Sequence, residues 1–571
     1  MSEPIIVFDD FSFRYKSQTT ETLKHINLTI RRGEKVLLLG PSGSGKSTIG
    51  SCINGLIPWS YEGEITGTCT VAGIDTKQAN IFALSKHVGT VQQDTDAQFI
   101  GLSVGEDIAF SLENEALPRE EMLPKVAEAA RIVGMEDFLG EVPYDLSGGQ
   151  KQKVALAGVL HNDEEILLFD EPLAALDPAM GMTTVDLIDR IHREQDKTVL
   201  IIEHRLEDVL YRHVDRIILL SEGEITLDTT PDELLRSGVL KEMGIREPLY
   251  LSALKNAGVD LGRIGNLSDL SSLETGIIRE PLRKHFSERE PSLTDVKVSD
   301  ETLLEVRDVS FRYGEKDVLR DISFTIHKGE RISIIGRNGA GKSTLAKLLC
   351  GIVRPRTGSI TFRGQDCAEY SIRDLGKRIG YVMQNPNQML VKDMIRDEVR
   401  LAMQLNGSSE EEMEQQSTTV LKMCDLYAMR NWPVGVLSYG QRKRVTIASI
   451  LSLRPEILIV DEPTAGQDYR HYTEIMRFLE QLNREYDITI LFITHDMHLA
   501  IEYTDRALVF TDGELIADDP VFRVLSDPEI IRRANLKQTS LVPLADQAGI
   551  DPERFIHAFI DEERRLRAGE Q

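Results

Sequence analysis

Short apolar runs alternate with longer amphipathic stretches along the whole chain. The runs VLLL, ILLF and VLII occupy the first half, and SII, ILIV and ILFI occupy the second. Between them lie stretches such as EEMLPKVAEAARIVGM, in which apolar residues recur at helical spacing. Fully apolar strands separated by helices are typical of a parallel sheet that is covered on both faces. The pattern predicts an α/β fold whose functional residues lie at the carboxyl ends of the strands.

The same ordered segments occur twice. GPSGSGKST begins at residue 40 and GRNGAGKST at residue 336. Further on, VGTVQQD matches IGYVMQN, LSGGQ matches LSYGQ, LLFDEP matches LIVDEP and IIEH matches FITH, all at one constant offset. Two copies of one domain explain this register, which chance does not.

We expect four segments from this repeat. The first domain covers residues 1–245, an extension and linker cover 246–302, the second domain covers 303–520, and a C-terminal extension covers 521–571. The stretch 276–302 is polar and contains prolines, which is typical of a linker, although an ordered strap across a domain face would have the same composition.

Composition narrows the class of protein. The 571 residues are too many for one hydrophobic core, and a net charge of −26 argues against general nucleic-acid binding. The five cysteines form no CxxC pair, which disfavours a zinc ribbon, an iron–sulfur cluster or a disulfide framework. No apolar run reaches the roughly 18 residues of a membrane span. The N-terminal MSEPIIVFDD does not resemble a signal peptide, so we expect any membrane role to be peripheral.

Each copy contains a glycine-rich loop of the form GxxxxGK[ST], which follows an apolar strand and opens a helix. Glycines let backbone N–H groups turn toward phosphate oxygens, and the helix N-terminus adds a positive dipole end. The lysine is expected to reach the β- and γ-phosphates, and the serine after it to ligate Mg²⁺. The residues expected to form the loops are Gly40, Pro41, Ser42, Gly43, Ser44, Gly45, Lys46, Ser47 and Thr48 in the first copy, and Gly336, Arg337, Asn338, Gly339, Ala340, Gly341, Lys342, Ser343 and Thr344 in the second.

Two acids and a histidine follow the loop in each copy. Asp170 and Asp461 end apolar strands, where an aspartate can hold Mg²⁺. The next residues, Glu171 and Glu462, can orient or deprotonate the attacking water. The histidines that follow the next strand, His204 and His495, are interpreted as γ-phosphate contacts and water positioners, although a lone histidine is usually structural.

Together with LSGGQ, these motifs occur in an order that resembles the nucleotide-binding domain of ATP-binding cassette (ABC) proteins. The resemblance occurs twice and covers nearly the whole chain. The resemblance implies tandem P-loop domains, ATP with Mg²⁺, and a head-to-tail arrangement in which the signature motif of one copy covers the nucleotide of the other. It also implies that an aromatic side chain stacks on adenine, that a glutamine contacts the metal site, and that a short loop links the two sites. Carried onto this sequence, these residues are Ser147, Gly148, Gly149 and Gln150 opposite the Lys342 loop, Ser438, Gly440 and Gln441 opposite the Lys46 loop, Tyr15 and Tyr313 at adenine, Gln93 and Gln384 at the metal, and Leu176, Asp177, Gln467 and Asp468 in the linking loops.

One residue departs from the family pattern. Tyr439 occupies the place that Gly148 holds in the first signature motif, so the relative activity of the two sites is left open. Because all four acids and both histidines are present, we expect two hydrolysing sites.

Further segments resemble the fused ATPase subunits of energy-coupling-factor (ECF) importers, which energise vitamin and metal-ion uptake. These segments are VGEDIAFSLEN, QDTDAQF, QNPNQ, IIEHRLEDV and GIREPLY. The resemblance implies a peripheral ATPase on the cytoplasmic face of the cell membrane, bound to an energy-coupling transmembrane protein and a substrate-capture protein. Two alternatives stay open: a tandem ATPase of a sugar importer, and a ribosome-associated ABC ATPase, which the acidic charge and the short linker disfavour.

The membrane subunits of such importers dock through short Arg-bearing helices beside the glutamine loops. A solvated acidic surface is an equal alternative reading of the acids near these loops. The candidate receiving acids are Asp94, Asp96, Glu106 and Asp107 in the first copy and Asp393, Asp397 and Glu398 in the second.

Overall fold

The computed structural model describes residues 2–93, 98–160, 164–174, 176–287, 299–464 and 467–569. The chain divides into two compact units, Met1–Ile278 and Arg279–Gln571. Each unit combines an antiparallel sheet with a mainly parallel sheet and helices, so the predicted α/β class is confirmed.

The first unit holds the first copy of the repeat. Its described strands are β1 Pro4–Tyr15, β2 Leu23–Arg31, β3 Lys35–Leu39, β4 Gly63–Val71, β5 Ile74–Asp75, β6 Val88–Val91, β7 Ile166–Asp170, β8 Thr198–Ile202, β9 Arg216–Ser221 and β10 Glu224–Thr229. Its described helices are α1 Lys46–Ile53, α2 Leu56–Trp59, α3 Ile81–Ser85, α4 Val104–Asn114, α5 Arg119–Val133, α6 Gly148–Leu160, α7 Pro178–Gln195, α8 Leu206–Val209, α9 Pro231–Ser237, α10 Val239–Glu242 and α11 Leu249–Asn256, and α12 Thr275–Leu282 crosses the boundary between the units.

The second unit repeats this order. Its described strands are β11 Thr302–Tyr313, β12 Lys316–His327, β13 Arg331–Gly336, β14 Thr357–Phe362, β15 Gln365–Asp366, β16 Ile379–Val382, β17 Ile457–Asp461, β18 Thr489–Ile493, β19 Arg506–Thr511 and β20 Glu514–Pro520. Its described helices are α13 Lys342–Leu349, α14 Ile372–Leu375, α15 Ile395–Leu405, α16 Glu410–Met423, α17 Tyr439–Leu451, α18 Tyr469–Tyr486, α19 Met497–Tyr503, α20 Val521–Ser526, α21 Pro528–Arg533, α22 Leu541–Ala548 and α23 Pro552–Gly569.

The mainly parallel sheet of each unit positions the repeated motifs. In the first unit its strands lie in the order β10-β9-β3-β8-β7-β6, and in the second in the equivalent order β20-β19-β13-β18-β17-β16. Among the described strands of these two six-stranded sheets, only the edge pairs β10 with β9 and β20 with β19 are antiparallel. Every residue of β3 and β8 is buried, as expected for strands covered on both faces. The carboxyl ends of β3, β6, β7 and β8 therefore meet at one edge.

An antiparallel sheet packs over each parallel sheet. Its order is β2-β1-β4-β5 in the first unit and β12-β11-β14-β15 in the second. Apolar side chains of both sheets share one core, in which Phe8 and Phe13 pack with Leu38 and Ile49 in the first unit. Burial of these apolar surfaces is the main stabilising term, at about 25 cal/mol per Å².

Part of the segment expected to be a linker is helical. Residues 275–282 form α12, and the π-helical turn Arg283–Ser287 follows it. Phe286 is buried, and its ring centroid lies 4.8 Å from that of Phe555 in α23. Residues 279–287 thus belong to the second unit, while 288–298 lie outside the described residues. The expected C-terminal extension contains α22 and the 18-residue helix α23.

Candidate functional site

The glycine loops are backbone turns that only glycine can make. Gly40 has φ 155° and Gly45 has φ 102°, both in the region that other residues avoid. A Cβ at Gly40 would lie 2.2 Å from the carbonyl oxygen of Leu220, and one at Gly336 would lie 2.0 Å from that of Phe510. The loop backbone therefore presses directly against the neighbouring strand, and it leads into α1 or α13 without an intervening residue.

The loop lysines are held inside their own loops. Lys46 Nζ donates to the carbonyl oxygens of Gly40 and Pro41 at 2.8 and 2.9 Å. Lys342 Nζ does the same to Gly336 and Arg337 at 2.6 and 2.9 Å. Both lysines are almost fully buried, so each ammonium is a concentrated positive charge within a ring of backbone groups. Such a ring fits an anion like a phosphate.

A buried hydroxyl also fits a phosphate-bearing ligand. Ser44 Oγ is buried and has no hydrogen-bond partner among the described residues. A buried polar group without a partner is costly, so this atom is a ready donor or acceptor for a ligand in the loop.

A hydroxyl and a carboxylate meet beside each loop. Ser47 Oγ donates to Asp170 Oδ1 at 3.2 Å, and Ser343 Oγ donates to Asp461 Oδ2 at 3.3 Å. Burial raises the pKa of both aspartates. Oxygen atoms from a hydroxyl and a carboxylate are ligands that Mg²⁺ accepts when phosphates complete its shell. The residues present therefore fit this ion.

The glutamates that follow have a strained backbone. Glu171 has φ 48° and Glu462 has φ 43°, a left-handed conformation that costs free energy in a residue with a side chain. Their N–H groups donate to the carbonyl oxygens of Ile202 and Ile493, each at 2.9 Å, which fixes the turn. Burial raises the pKa of Glu171, which makes this carboxylate a stronger base. The same strained turn occurs in both units.

In each unit a side chain predicted to belong to the site lies near the catalytic glutamate candidate. His495 Nδ1 lies 2.7 Å from Glu462 Oε1, whereas His204 Nδ1 lies 3.8 Å from Glu171 Oε1. In the first unit Gln93 Nε2 also donates to Glu171 Oε2 at 2.6 Å. The structure thus brings the predicted lysine, serine, aspartate, glutamate and histidine to one strand edge in each unit.

One neighbour of the acids was missed by the sequence reasoning. Tyr381 Oη donates to Asp461 Oδ2 at 2.8 Å in the second unit. The corresponding residue of the first copy is Thr90, since both lie three residues before the glutamine. Comparing the two halves position by position would have identified this difference.

The two candidate adenine platforms differ. Tyr15 is half-buried, its hydroxyl lies 3.3 Å from Thr48 Oγ1, and its ring centroid lies 6.3 Å from that of Tyr61. Tyr313 is 47% exposed.

The difference comes from a five-residue insertion in the first copy. Gly55 and Gly67 are 12 residues apart, whereas the matching Gly351 and Gly358 are 7 apart. The insertion extends the pairing of β4 with β1 up to Tyr15. It also carries Trp59, whose Nε1 donates to the carbonyl oxygen of Thr76 at 3.3 Å.

The signature motifs form helix N-termini. Ser438 caps α17 by accepting from Gln441 N at 3.3 Å, while Gln441 Oε1 accepts from Ser438 N at 3.0 Å. Ser147 and Gln150 make the same reciprocal pair at the start of α6. The carboxamides of both glutamines are therefore engaged in holding the serine. Ser147, Gly148 and Ser438 are exposed, whereas Gly149 is buried.

The linking-loop aspartates cap the next long helix. Asp177 accepts from Met180 N at 2.9 Å, and Asp468 accepts from His471 N at 3.0 Å.

Some of the candidate docking acids have other roles. Asp107 accepts from the N–H groups of Ile100 and Gly101, and Glu398 accepts from those of Val391 and Lys392 at 2.8 and 2.7 Å. Glu398 is only 3% exposed, so the expectation that it could receive a partner's arginine is wrong. Its carboxylate instead holds the loop before α15. The other candidates are Glu106, Asp393 and Asp397, which are exposed, and Asp94 and Asp96, which lie outside the described residues.

Comparison with known proteins decides the family. A family model described as ABC transporter matches residues 23–174 and again residues 319–465. The chain belongs to the ABC transporter family. ABC transporter ATP-binding proteins are ATPases, so the predicted enzyme class is confirmed. A second model, described as ATP-binding cassette cobalt transporter, matches residues 237–311 of this ABC protein.

Several relatives match this ABC protein from end to end. All are named as candidate ABC transporter ATP-binding proteins. One from Enterococcus faecalis is 55% identical and covers 100% of both chains. One from Clostridium perfringens is 52% identical over 99% of each chain, and one from Vibrio parahaemolyticus is 51% identical over 98% of this chain and 97% of its own.

A solved structure is also similar. CbiO1 from Clostridium perfringens, described as part of the ABC transporter complex CbiONQ, is 33% identical, covers 41% of this chain and 95% of its own, and has a TM-score of 0.38. In the part of the ABC chain that the structure describes, no helix is both long and apolar enough to cross a bilayer.

Proposed function

We propose that this chain is the ATP-binding and hydrolysing subunit of an ECF-type import complex, which takes up a small molecule such as a vitamin or a metal ion through separate membrane subunits. The observation that carries the proposal is the match of residues 237–311 to a model described as a cobalt transporter. That segment lies outside the two general ABC matches, so it supports the proposal independently of them.

The proposed chemistry is positioning and charge neutralisation. In each unit the loop lysine binds the β- and γ-phosphates of ATP, and the strained glutamate accepts a proton from the attacking water. The histidine beside the glutamate orients that water, and the glutamine loop completes the site. Mg²⁺, when bound, neutralises phosphate charge, and Ser47 with Asp170, or Ser343 with Asp461, would hold it together with Gln93 or Gln384.

We further propose that the halves cooperate head to tail. Ser438 and Gly440 would cover the nucleotide held by Lys46, and Ser147 with Gly149 would cover the one held by Lys342. A helix N-terminus that closes over the γ-phosphate adds positive potential and excludes water. Closure on ATP and reopening after hydrolysis would then drive the membrane subunits.

A groove in the first unit supports the proposed docking of a membrane subunit. It lies beside the glutamine loop and includes Phe82, Gln92, Ser111, Glu115 and Val159. Phe82 is 53% exposed, so its ring is accessible to a partner that enters the groove. An apolar anchor with polar neighbours suits a short amphipathic helix of the energy-coupling transmembrane protein. The chain would then sit peripherally on the cytoplasmic face of the cell membrane.

Reconstitution tests this function. The chain is expressed with the membrane proteins that copurify with it, and ATP-driven uptake of ⁵⁷Co²⁺ or a radiolabelled vitamin into proteoliposomes is measured. We expect uptake by the natural chain and none by the Glu171→Gln/Glu462→Gln variant. Copurification of a sugar permease or of ribosomes instead would contradict the proposal.

A surface variant tests the docking step separately. Phe82→Asp is expected to release the chain from membranes while the ATPase activity of the free chain persists. Tyr486→Ala is the matched control, because Tyr486 is also an exposed aromatic, 48% accessible, at the end of a helix in the other unit. Equal membrane retention of both variants would exclude this groove.

A further inference from the structure

Side chains of the second signature helix converge on the glutamine loop of the same unit. Tyr439 Oη donates to the main-chain oxygen of Gln384 at 2.9 Å. Lys443 Nζ donates to that same oxygen at 2.9 Å and to the oxygen of Met383 at 2.8 Å. A carbonyl oxygen has two lone pairs, and here both are used by residues of α17.

The lysine is fixed in place. Lys443 is fully buried, with an exposed fraction of 0%. Its Nζ also lies 3.4 Å from the main-chain oxygen of Asp461. A buried ammonium must keep its hydrogen bonds, because losing them leaves an uncompensated charge away from water. Breaking these contacts within the folded unit is therefore costly.

A third contact extends the link. Arg442 Nη1 donates to Asn387 Oδ1 at 3.0 Å, in the turn that follows the glutamine. Residues 383–387 are thus tied to the first turn of α17 at several points.

The first unit cannot make this link in the same way. Its residues at the positions of Tyr439 and Lys443 are Gly148 and Gln152. Gly148 has no side chain, and the Gln152 carboxamide donates to the carbonyl oxygen of Pro172. The connection through a phenol and an ammonium therefore belongs to the second unit.

The two ends of the link serve different nucleotides under the proposed function. Gln384 belongs to the site of the Lys342 loop, whereas Ser438, which precedes Tyr439 and caps α17, would cover the nucleotide of the Lys46 loop. A shift of the Gln384 backbone must carry the N-terminus of α17 with it or break both hydrogen bonds. Since a helix moves as a rigid body, the cap serine would follow.

We propose that Tyr439 and Lys443 are positioning residues that couple the two ATP sites through the second unit. ATP binding at the Lys342 loop then changes the affinity of the Lys46 loop for ATP. ATP binding at the Lys46 loop changes the affinity of the Lys342 loop by the same factor, because the coupling of two binding sites is reciprocal. This inference rests on the proposed head-to-tail function. Both side chains contact backbone oxygens of the glutamine loop, so the expected effect of replacing them is on communication rather than on the chemical step.

A double-mutant cycle on the full-length chain tests the coupling. All variants carry Glu171→Gln and Glu462→Gln, so that ATP binds without turnover. The affinity of the first site is measured with 8-azido-ATP, by quantifying labelled peptides from residues 1–278 as the probe concentration rises. Lys342→Ala is expected to weaken labelling of the first half about fivefold or more when Tyr439 is present, and less than about twofold in Tyr439→Phe.

Two further variants sharpen the result. Lys443→Gln introduces the residue of the first copy and is expected to reduce the coupling as Tyr439→Phe does. Tyr144→Phe is the matched control, since it removes one phenolic oxygen from an exposed tyrosine near the other signature motif and should leave the coupling unchanged. An equal effect of Lys342→Ala with and without the Tyr439 hydroxyl, or no effect in either, overturns the proposal.

Failure of the underlying function has a different readout. If the first half is still labelled after Lys46→Ala, or if the chain does not bind two nucleotides, the proposed sites themselves are wrong. Near-identical thermal unfolding of Tyr439→Phe and the parent chain verifies that the coupling, and not the fold, has changed.

Discussion

His495 lies with its Nδ1 atom 2.7 Å from the carboxylate of Glu462, more than 1 Å closer than the equivalent pair in the first unit, which is 3.8 Å apart. The first glutamate is instead contacted by Gln93. The two sites therefore hold the same residues in different hydrogen-bonding states.

Removal of the carboxylates tests their role. Glu171→Gln and Glu462→Gln together are expected to lower phosphate release by about a hundredfold or more, because the proton acceptor for water is lost at both sites. ATP binding should persist, as measured by equilibrium dialysis. Glu194→Gln, an exposed glutamate in α7, is the control. Near-normal phosphate release by the double variant would refute the assignment of the base.

The candidate adenine platforms can be separated by substitution. Tyr15→Ala and Tyr313→Ala are each expected to weaken ATP binding at their own site by about fivefold, since aromatic stacking contributes roughly 1 kcal/mol. Tyr15→Phe should bind normally, because it keeps the ring and loses the hydroxyl that lies near Thr48. The affinities are measured with a fluorescent ATP analogue on chains in which the other loop lysine is Ala. Equal affinity of Tyr15→Ala and Tyr15→Phe would remove the platform role.

The aromatic cluster around Phe286 predicts a stability effect far from the sites. Phe286→Ala is expected to lower the free energy of unfolding of the second unit by about 3 kcal/mol, because it leaves a cavity beside Phe555 and Phe559. Urea unfolding of chains that also carry Trp59→Phe, followed by the emission of Trp432 in the second unit, measures the change. Leu566→Ala is the control, because Leu566 is exposed and lies in α23, the helix that carries Phe555 and Phe559. Unchanged unfolding of Phe286→Ala would show that residues 279–287 contribute nothing to the second unit.

His557 predicts a pH dependence. Burial lowers its pKa in the folded chain, although Asp561 opposes the shift, and its ring stacks on Phe522 with centroids 4.1 Å apart. A histidine with a lowered folded pKa takes up more protons when unfolded, so its contribution to stability is present above the ordinary pKa near 6.5 and is lost as the pH falls below it. The urea midpoint of the second unit should therefore fall between pH 7 and 5, and less so in His557→Gln. An equal fall of the urea midpoint in the natural chain and in His557→Gln would contradict this prediction.

The site could be predicted from local sequence motifs. Packing between residues that are distant in the chain could not be predicted in this way. The loop lysines, Asp170 and Glu171 follow apolar strands, and the parallel order of those strands brings their ends together, so spacing alone indicated the site. By contrast, Phe286 lies in a segment whose composition predicts a linker, and its partner Phe555 is far away in the chain.

The exposure of the candidate docking acids was also not predictable from the sequence. Glu398 and Asp397 are neighbours of identical charge, yet one is buried on backbone N–H groups and the other is exposed. Sequence gives the charge of a side chain, but helix phase and loop geometry decide which way it points. The contacts of Tyr439 likewise depend on the distance between two elements that are 55 residues apart.

The inserted segment of the first half has a practical consequence for spectroscopy. The chain has two tryptophans, and Trp59 lies on the insertion of the first unit while Trp432 lies in the other unit. Replacing either one by phenylalanine leaves a single tryptophan per molecule. Emission from a Trp432→Phe chain would then follow events in the first half alone, without any attached dye.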